Sequence, residues 1–323
     1  MALPGQLQEA VERELTELSA GGLRRDAEAL TRHYRAGGVS GPAVTLPAYL
    51  TVRLPATYAA VDAVMQELRR RFPRLSPASM LDAGAGPGTA SWAAAGNWPD
   101  LAAVTFLDID QRFLALAQSL ARSGPPALAK ARCVTGSIET WPGAEKADLV
   151  VAAYALAEMP LVRVAEAARN LWAAAGQALI VVEPGTPQGF SRIRAVRAAL
   201  LAEGAVPAAP CTHASACPMV GDDWCHFSVR LQRSRSHMQA KSARLPFEDE
   251  KYSYLALLRD GEVAGGARVI APPFERKPGI TFRLCTPDGI ETRHIARRDA
   301  TAYKACRKTG WGDHFPADWE NKE

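Results

Sequence analysis

The sequence predicts an α/β chain: a parallel sheet with helices on both faces, N-terminal helices before it, and a basic, β-rich region after it. Three observations predict this. Residues 76–186 alternate short apolar runs with helix-length amphipathic stretches, the pattern of successive βα units. The first apolar run, 79–82, opens into the glycine-rich loop Ala83-Gly84-Ala85-Gly86-Pro87-Gly88-Thr89. Beyond residue 205 the helical period gives way to apolar stretches separated by Pro and Gly. At 323 residues, 48% of them apolar, the chain can hold two domains or one large one with appendages. The expected division is 1–75 helical, 76–205 α/β core and 206–323 cysteine-bearing region. No run of eighteen apolar residues is present, so no membrane partner is expected.

Taken in order, residues 1–36 read as two helices. Leu7, Val11, Leu15 and Leu18 recur at helical spacing, Gly21-Gly22 breaks the run, and Gly37-Gly38 ends the second segment. Residues 47–71 are again helical, interrupted near Pro55; Tyr49, Arg53, Thr57 and Tyr58 read as packing and capping residues. The core strands are placed at 79–82, 104–107, 131–135, 148–154 and 179–182. Helices are expected from Thr89, over 111–121, over 161–175 and over 187–205. Residues 228–241 look helical, and 248–258 alternate enough for a strand or a short helix. Strands follow at 268–273, 279–287 and 289–297.

The glycine loop carries the first chemical signal. After Leu81-Asp82, glycines at 84, 86 and 88 let the backbone approach a ligand closely. The G-x-G-x-G spacing favours S-adenosylmethionine over a dinucleotide, whose loop reads G-x-G-x-x-G. Asp108, twenty residues past Gly88 at a strand end, is placed to accept both ribose hydroxyls. The candidate cofactor residues are therefore Asp82, Gly84, Gly86, Gly88, Asp108 with its neighbour Ile109, and the turn Ser137-Ile138 beside the adenine. This order and spacing predict a class I, Rossmann-like S-adenosylmethionine-dependent methyltransferase core. Activity does not follow from fold. The fourth strand ends in Ala153-Tyr154-Ala155-Leu156, so the N/D-P-P-Y tetrad that grips a base amino group is absent. Tyr154 and Glu158 are the polar groups there that could act as a base, and Glu158 reads more simply as a helix N-terminal charge. No catalytic residue is assigned.

The second signal is the stretch 210–227, P-C-T-H-A-S-A-C-P-M-V-G-D-D-W-C-H-F, with Cys211, Cys217 and Cys225 within fifteen residues. Residues 1–18 are charged throughout with no apolar signal core, which predicts an intracellular chain and makes disulfides unexpected. A metal or an iron–sulfur cluster is then the leading reading, and Pro218 directly after Cys217 matches a ferredoxin pairing. The best fourth ligand is Cys285; His213 or His226 would instead give a zinc-type Cys3His set. Cys133 reads as a core residue and Cys306, in an exposed-looking basic run, as a free thiol. Residues 226–310 hold 17 Lys and Arg against 9 Asp and Glu, a footprint for phosphate and most plausibly nucleic acid.

With these residues in view, the chain resembles the ribosomal small-subunit methyltransferase-like family, whose mitochondrial members are small-subunit assembly factors. The resemblance rests on Tyr49-Leu50, Arg53-Leu54-Pro55-Ala56-Thr57-Tyr58, the loop 81–89, and Glu183-Pro184-Gly185-Thr186-Pro187. More specific are Pro210-Cys211-Thr212-His213, Cys217-Pro218 and Asp223-Trp224-Cys225-His226-Phe227; last come Lys251-Tyr252-Ser253-Tyr254, Leu284-Cys285-Thr286, Tyr303-Lys304 and Trp311-Gly312-Asp313. It implies a [4Fe–4S] site on Cys211, Cys217, Cys225 and Cys285, and binding to small-subunit ribosomal RNA during assembly. It leaves methyl transfer open. The short N-terminus fits a bacterial, cytoplasmic member. A cluster joining 211–225 to 285 is expected to clamp the basic region onto the core.

Overall fold

The computed structural model describes residues 1–16, 20–35, 44–141, 145–263 and 265–315. Its N-terminal layer comprises α1 (Gly5–Leu15), α2 (Ala20–Arg35), α3 (Leu46–Ala48) and α4 (Leu54–Arg71), with a π-helical turn at Tyr49–Arg53 joining the last two. The interruption expected near Pro55 is this turn. Pro55 itself sits in the first turn of α4, where a missing N–H costs nothing. Gly21-Gly22 do not break the chain; they lie in the first turn of α2, whose N–H groups have no helical partner to lose. Gly37-Gly38 lie outside the described residues.

The α/β core follows as β1 (Ser79–Ala83), α5 (Thr89–Asn97), β2 (Ala103–Asp108), α6 (Gln111–Ala121), α7 (Pro126–Ala129), β3 (Arg132–Thr135), β4 (Ala147–Ala153), α8 (Leu161–Ala174), β5 (Ala175–Pro184) and α9 (Pro187–Leu201). Beyond it come β6 (Val206–Ala209), β7 (Phe227–Gln232), α10 (Arg235–Ala240) and β8 (Phe247–Leu258). Among the described residues the larger sheet runs β3-β2-β1-β4-β5-β8-β6, with β7 also on β8. Strands β1 to β5 are parallel; β8 is antiparallel to both β5 and β6. A parallel sheet closed by one reversed strand, inserted between the fifth and sixth, is the class I S-adenosylmethionine-dependent methyltransferase fold.

The central strands read as unbroken apolar runs because helices cover both faces. Leu179, Ile180, Val181 and Val182 of β5 are each 0% exposed, and burying one such side chain stabilises by about 1.5–3 kcal/mol. An Asp at Val181 would break that layer. Helix α9 starts where Thr186 caps the Gly189 N–H with Pro187 in its first turn.

The smaller sheet consists of β9 (Ala267–Val269), β10 (Phe274–Arg276), β11 (Gly279–Thr286), β12 (Gly289–Ala296) and β13 (His314–Phe315), backed by α11 (Ala300–Cys306). Its core is Val269, Ile280, Phe282, Leu284, Ile295 and Phe315. Two expectations are corrected here. Residues 228–241 are a strand and then a short helix, because Phe227 and Leu231 bury one face of β7 while its backbone pairs with β8. Cys306 is 2% exposed: α11 is amphipathic and turns Ala302 and Cys306 onto the small sheet, leaving Lys304, Arg307 and Lys308 outside.

Candidate cofactor pocket and cysteine site

The glycine loop is pinned to the end of β2, where Gly84 N and Ala85 N both donate to Leu107 O. Its three glycines have φ of +69°, +52° and +77°, which side chains rarely adopt. They serve different ends. A Cβ on Gly84 would lie 2.5 Å from Ala155 Cβ, and one on Gly88 3.1 Å from the Phe106 ring, so both are fixed by packing. A Cβ on Gly86 would find only the Tyr49 hydroxyl, 3.7 Å away. Gly86 therefore faces the open side of the loop, where a ligand has room.

Asp108 stands beside it. Its carboxylate accepts from Gly86 N and from Asp110 N, both at 2.8 Å, and burial pushes its pKa up. Two oxygens offer about four acceptor positions, so capacity for two hydroxyls remains. Asp110, the residue most easily confused with Asp108, caps α6 and pairs with Arg112. Asp82 is 1% exposed and accepts from Ser91 N and Ser91 Oγ; burial lifts it to about 7. It organises the start of α5 from beneath the loop. Ile109 is 63% exposed, Ile138 is buried against the Gly84 side, and Ser137 Oγ accepts from Glu139 N.

The end of β4 is crowded. Tyr154 has φ +61°, a strained conformation for a bulky residue. Its hydroxyl donates to Glu250 Oε1 at 3.0 Å, Arg53 Nη1 lies 3.7 Å from the same oxygen, and the Arg53 guanidinium sits 5.1 Å from the Tyr154 ring centre. Burial holds the Tyr154 pKa well above the usual phenol value, with Glu250 adding to it. Glu183, at the end of β5, is fully buried; Oε1 accepts from Leu156 N while Oε2 has no partner, and burial lifts its pKa to about 8. Glu158 ends a 3-10 turn, ahead of α8. Sequence reasoning missed Glu250 and Glu183 as members of this site. The signal at Arg53 and Tyr49 was a motif whose role needed the fold.

The cysteines come together from the loop between β6 and β7 and from the middle of the small sheet. Cys211, Cys217, Cys225 and Cys285 are free, half-buried and packed on one apolar cluster with Met219, Trp224 and Ile290. Burial raises the Cys211 and Cys225 thiols and pushes Cys285 up to about 12; in each case the neighbouring thiols add to the rise. The four are thus mutual neighbours. Among the described residues, however, no group of three or more His, Cys, Asp or Glu side chains is arranged to hold a metal ion. His213 joins the set, with Nε2 3.5 Å from Cys285 Sγ and Nδ1 buried without a partner. His226 does not: it stacks on Trp224 and meets Trp311 edge-on, each at 5.0 Å. Cys133 and Cys306 lie elsewhere, on β3 and α11.

Protein contacts also join the two cysteine segments. Arg283, two residues before Cys285, pairs with Asp223, two before Cys225. Arg268, 1% exposed, donates from Nε to Pro210 O, and from Nη1 to Glu67 Oε1 and Gly312 O. Trp224 Nε1 donates to Gly185 O, tying the loop to the end of β5. A bound group is therefore not the only clamp on the small sheet.

The basic footprint is redistributed. His237 is fully buried, Arg230 and Arg233 are engaged by Asp249 and Glu248, and Arg192 and Arg197 of α9 turn inward onto backbone carbonyls. The exposed cations include Arg235, Arg244 and Lys251 around α10 and β8, and Arg276, Lys277, Arg298, Lys304, Arg307 and Lys308 on the small sheet and α11.

The family description "Mitochondrial small ribosomal subunit Rsm22" matches residues 43–316. The chain belongs to the Rsm22 family. The human ribosome assembly protein METTL17, mitochondrial, is 29% identical over 287 residues, covering 83% of this chain and 62% of that protein. The Rsm22-cox11 tandem protein 2, mitochondrial, of Schizosaccharomyces pombe is 25% identical over 329 residues, covering 84% and 43%. The chain thus spans less than two thirds of either relative. Among solved structures, Synechocystis magnesium protoporphyrin IX methyltransferase with bound SAH aligns at 17% identity and TM-score 0.44, covering 75% of this chain and 99% of that one. TrmN from Thermus thermophilus aligns at 16% and 0.36, covering 65% and 53%. Among the described residues no helix of this Rsm22 member is long and apolar enough to cross a membrane.

Proposed function

We propose that this chain is an assembly factor of the small ribosomal subunit that contacts its RNA, binds S-adenosylmethionine on the glycine loop, and carries a [4Fe–4S] cluster on Cys211, Cys217, Cys225 and Cys285, acting in the cytoplasm. The observation that carries the reading is the Rsm22 match across nearly the whole chain, together with four thiols from two distant segments meeting on one apolar cluster. The donor chemistry fits: four sulfurs, with buried Arg197 beside one of them, suit an anionic thiolate-ligated group. Four cysteines also match the donor set of a zinc site, and metal analysis separates the two.

When bound, the cluster supplies a rigid cross-link and one-electron redox chemistry. The division 1–75, 76–205 and 206–323 is then one of labour: helices that wall the pocket, a cofactor core, and a cluster-bearing RNA face. Strands β6 to β8 nonetheless complete the core sheet. A non-catalytic role in the pocket is favoured by Tyr154, whose hydroxyl is already held by Glu250 beside Arg53. For Tyr154 to act as a base, that hydroxyl would have to be freed.

The test is anaerobic purification with iron and sulfide analysis, followed by titration with small-subunit RNA. The expected result is about four irons per chain, a broad band near ~400 nm, and RNA affinity that falls steeply with salt. Serine at any one of the four cysteines should remove the iron, whereas Cys133→Ser and Cys306→Ser should keep it. A colourless protein with stoichiometric zinc, or RNA binding indifferent to salt, would refute the reading.

A further inference from the structure

Arg197 sits on α9, whose C-terminal end leads through β6 to Cys211. It is 5% exposed. Its Nε donates to Cys211 Sγ at 3.4 Å, and its Nη2 donates to His213 O at 2.9 Å and Ser215 O at 2.7 Å. Those partners are a thiol and two carbonyls; among the described residues it forms no ion pair with a carboxylate. The guanidinium is always charged, and a buried charge without a counter-charge is among the costliest arrangements a fold can hold.

Arg268 shows the ordinary solution. It too is buried beside the thiols, and it has Glu67 at 2.7 Å. For Arg197 the atom in the position of a counter-ion is the sulfur of Cys211. A neutral thiol cannot play that part, but a ligating thiolate can. A [4Fe–4S] unit with four thiolates is an anion, and adding one electron makes it more negative. A fixed cation beside one of its sulfurs stabilises the reduced form more than the oxidised form.

We propose that Arg197 is the built-in counter-cation of the thiolate set: a positioning residue that anchors the Cys211 loop and raises the reduction potential of the group bound there. The proposal rests on the cluster reading above and adds the residue that tunes it. Arg197 donates through a fork to three acceptors, so geometry and charge are separable by substitution. Arg197→Lys keeps the charge and loses the fork; Arg197→Gln keeps an amide donor and loses the charge.

The experiment is a dithionite titration of the intact, anaerobically purified protein and both variants, followed by electron paramagnetic resonance. Each reduction adds one electron per cluster. In R197Q the equilibrium constant for reduction should fall about tenfold, a drop of about 59 mV for a one-electron couple. R197K should stay within about threefold of the parent. If R197Q fails to retain iron, R197K decides: a loaded R197K at the parent potential supports the charge role. An R197K that loses iron as well, or shifts as far as R197Q, overturns it. R197Q at the parent potential also overturns it. A parent protein without iron removes the cluster reading itself, and this inference with it.

Discussion

Replacing Arg268 by Met removes one guanidinium that ties three parts of the chain together. Its Nη1 meets Glu67 Oε1 of α4 at 2.7 Å and Gly312 O at 2.6 Å, and its Nε meets Pro210 O at 2.7 Å. The two side chains are 2% and 13% exposed, so Glu67 would lose its buried cation and keep only Arg70 and, at 3.9 Å, Arg71. Breaking a buried pair by deleting one partner costs about 3–5 kcal/mol, a third or more of the stability of many domains. For a chain of this size that is a fall in Tm of order 5–10 °C. The assay is thermal unfolding followed by circular dichroism on R268M, E67Q and the double variant. The double variant should lose less than the two single losses added, because neither charge is then stranded. The sign with pH also follows. Burial pushes the Glu67 carboxyl up, but Arg268, with help from Arg70, outweighs it and holds the carboxyl below its usual range. The pair's contribution is therefore present above the unfolded pKa near ~4.3 and lost as pH falls through the lower folded value. The R268M deficit should be largest at neutral pH and shrink below about pH 4. An R268M protein melting within 1 °C of the parent at neutral pH, or strictly additive losses, would refute this account.

Two further outcomes are expected. Asp108→Ala should weaken S-adenosylmethionine binding roughly tenfold to a hundredfold, the worth of hydrogen bonds to a charged group, and Gly84→Val should abolish it, since its Cβ would meet Ala155 Cβ at 2.5 Å. Calorimetric titration giving D108A a Kd within about twofold of the parent would count against Asp108 as the ribose ligand. Glu183, raised by burial to about 8, favours its protonated form in the folded chain. The stability this confers is complete below the unfolded value of ~4.3 and is lost as pH rises toward 8. Glu183→Gln should therefore raise Tm more at pH 8.5 than at pH 5; an equal shift at both would show that Glu183 is not the titrating group.

Much of the core was legible because parallel strands buried on both faces write themselves as apolar runs, as in Leu179 to Val182. The glycine loop was legible because positive φ leaves a residue signature at 84, 86 and 88. Residues 228–241 misled because alternation over six residues, Phe227–Gln232, is short beside the helix-like Arg and Gln spacing around it. Cys306 misled because Lys304, Arg307 and Lys308 hide an inward face one residue wide. Glu250 and Arg53 could not be paired in advance: they are 197 positions apart, and their meeting over Tyr154 depends on β8 lying next to β5.

By itself the sequence determined the order of the βα units, the glycine loop and which four cysteines are proposed as one set. Each of these depends on residue type and local spacing, which the chain carries with it. Only the tertiary structure decided that β8 returns to close the core sheet, that Arg268 and Arg283 already bind the cysteine segments together, and that Arg197 lies buried against Cys211. Those outcomes depend on which distant groups share a low-dielectric interior, and there every charge must find its partner through space.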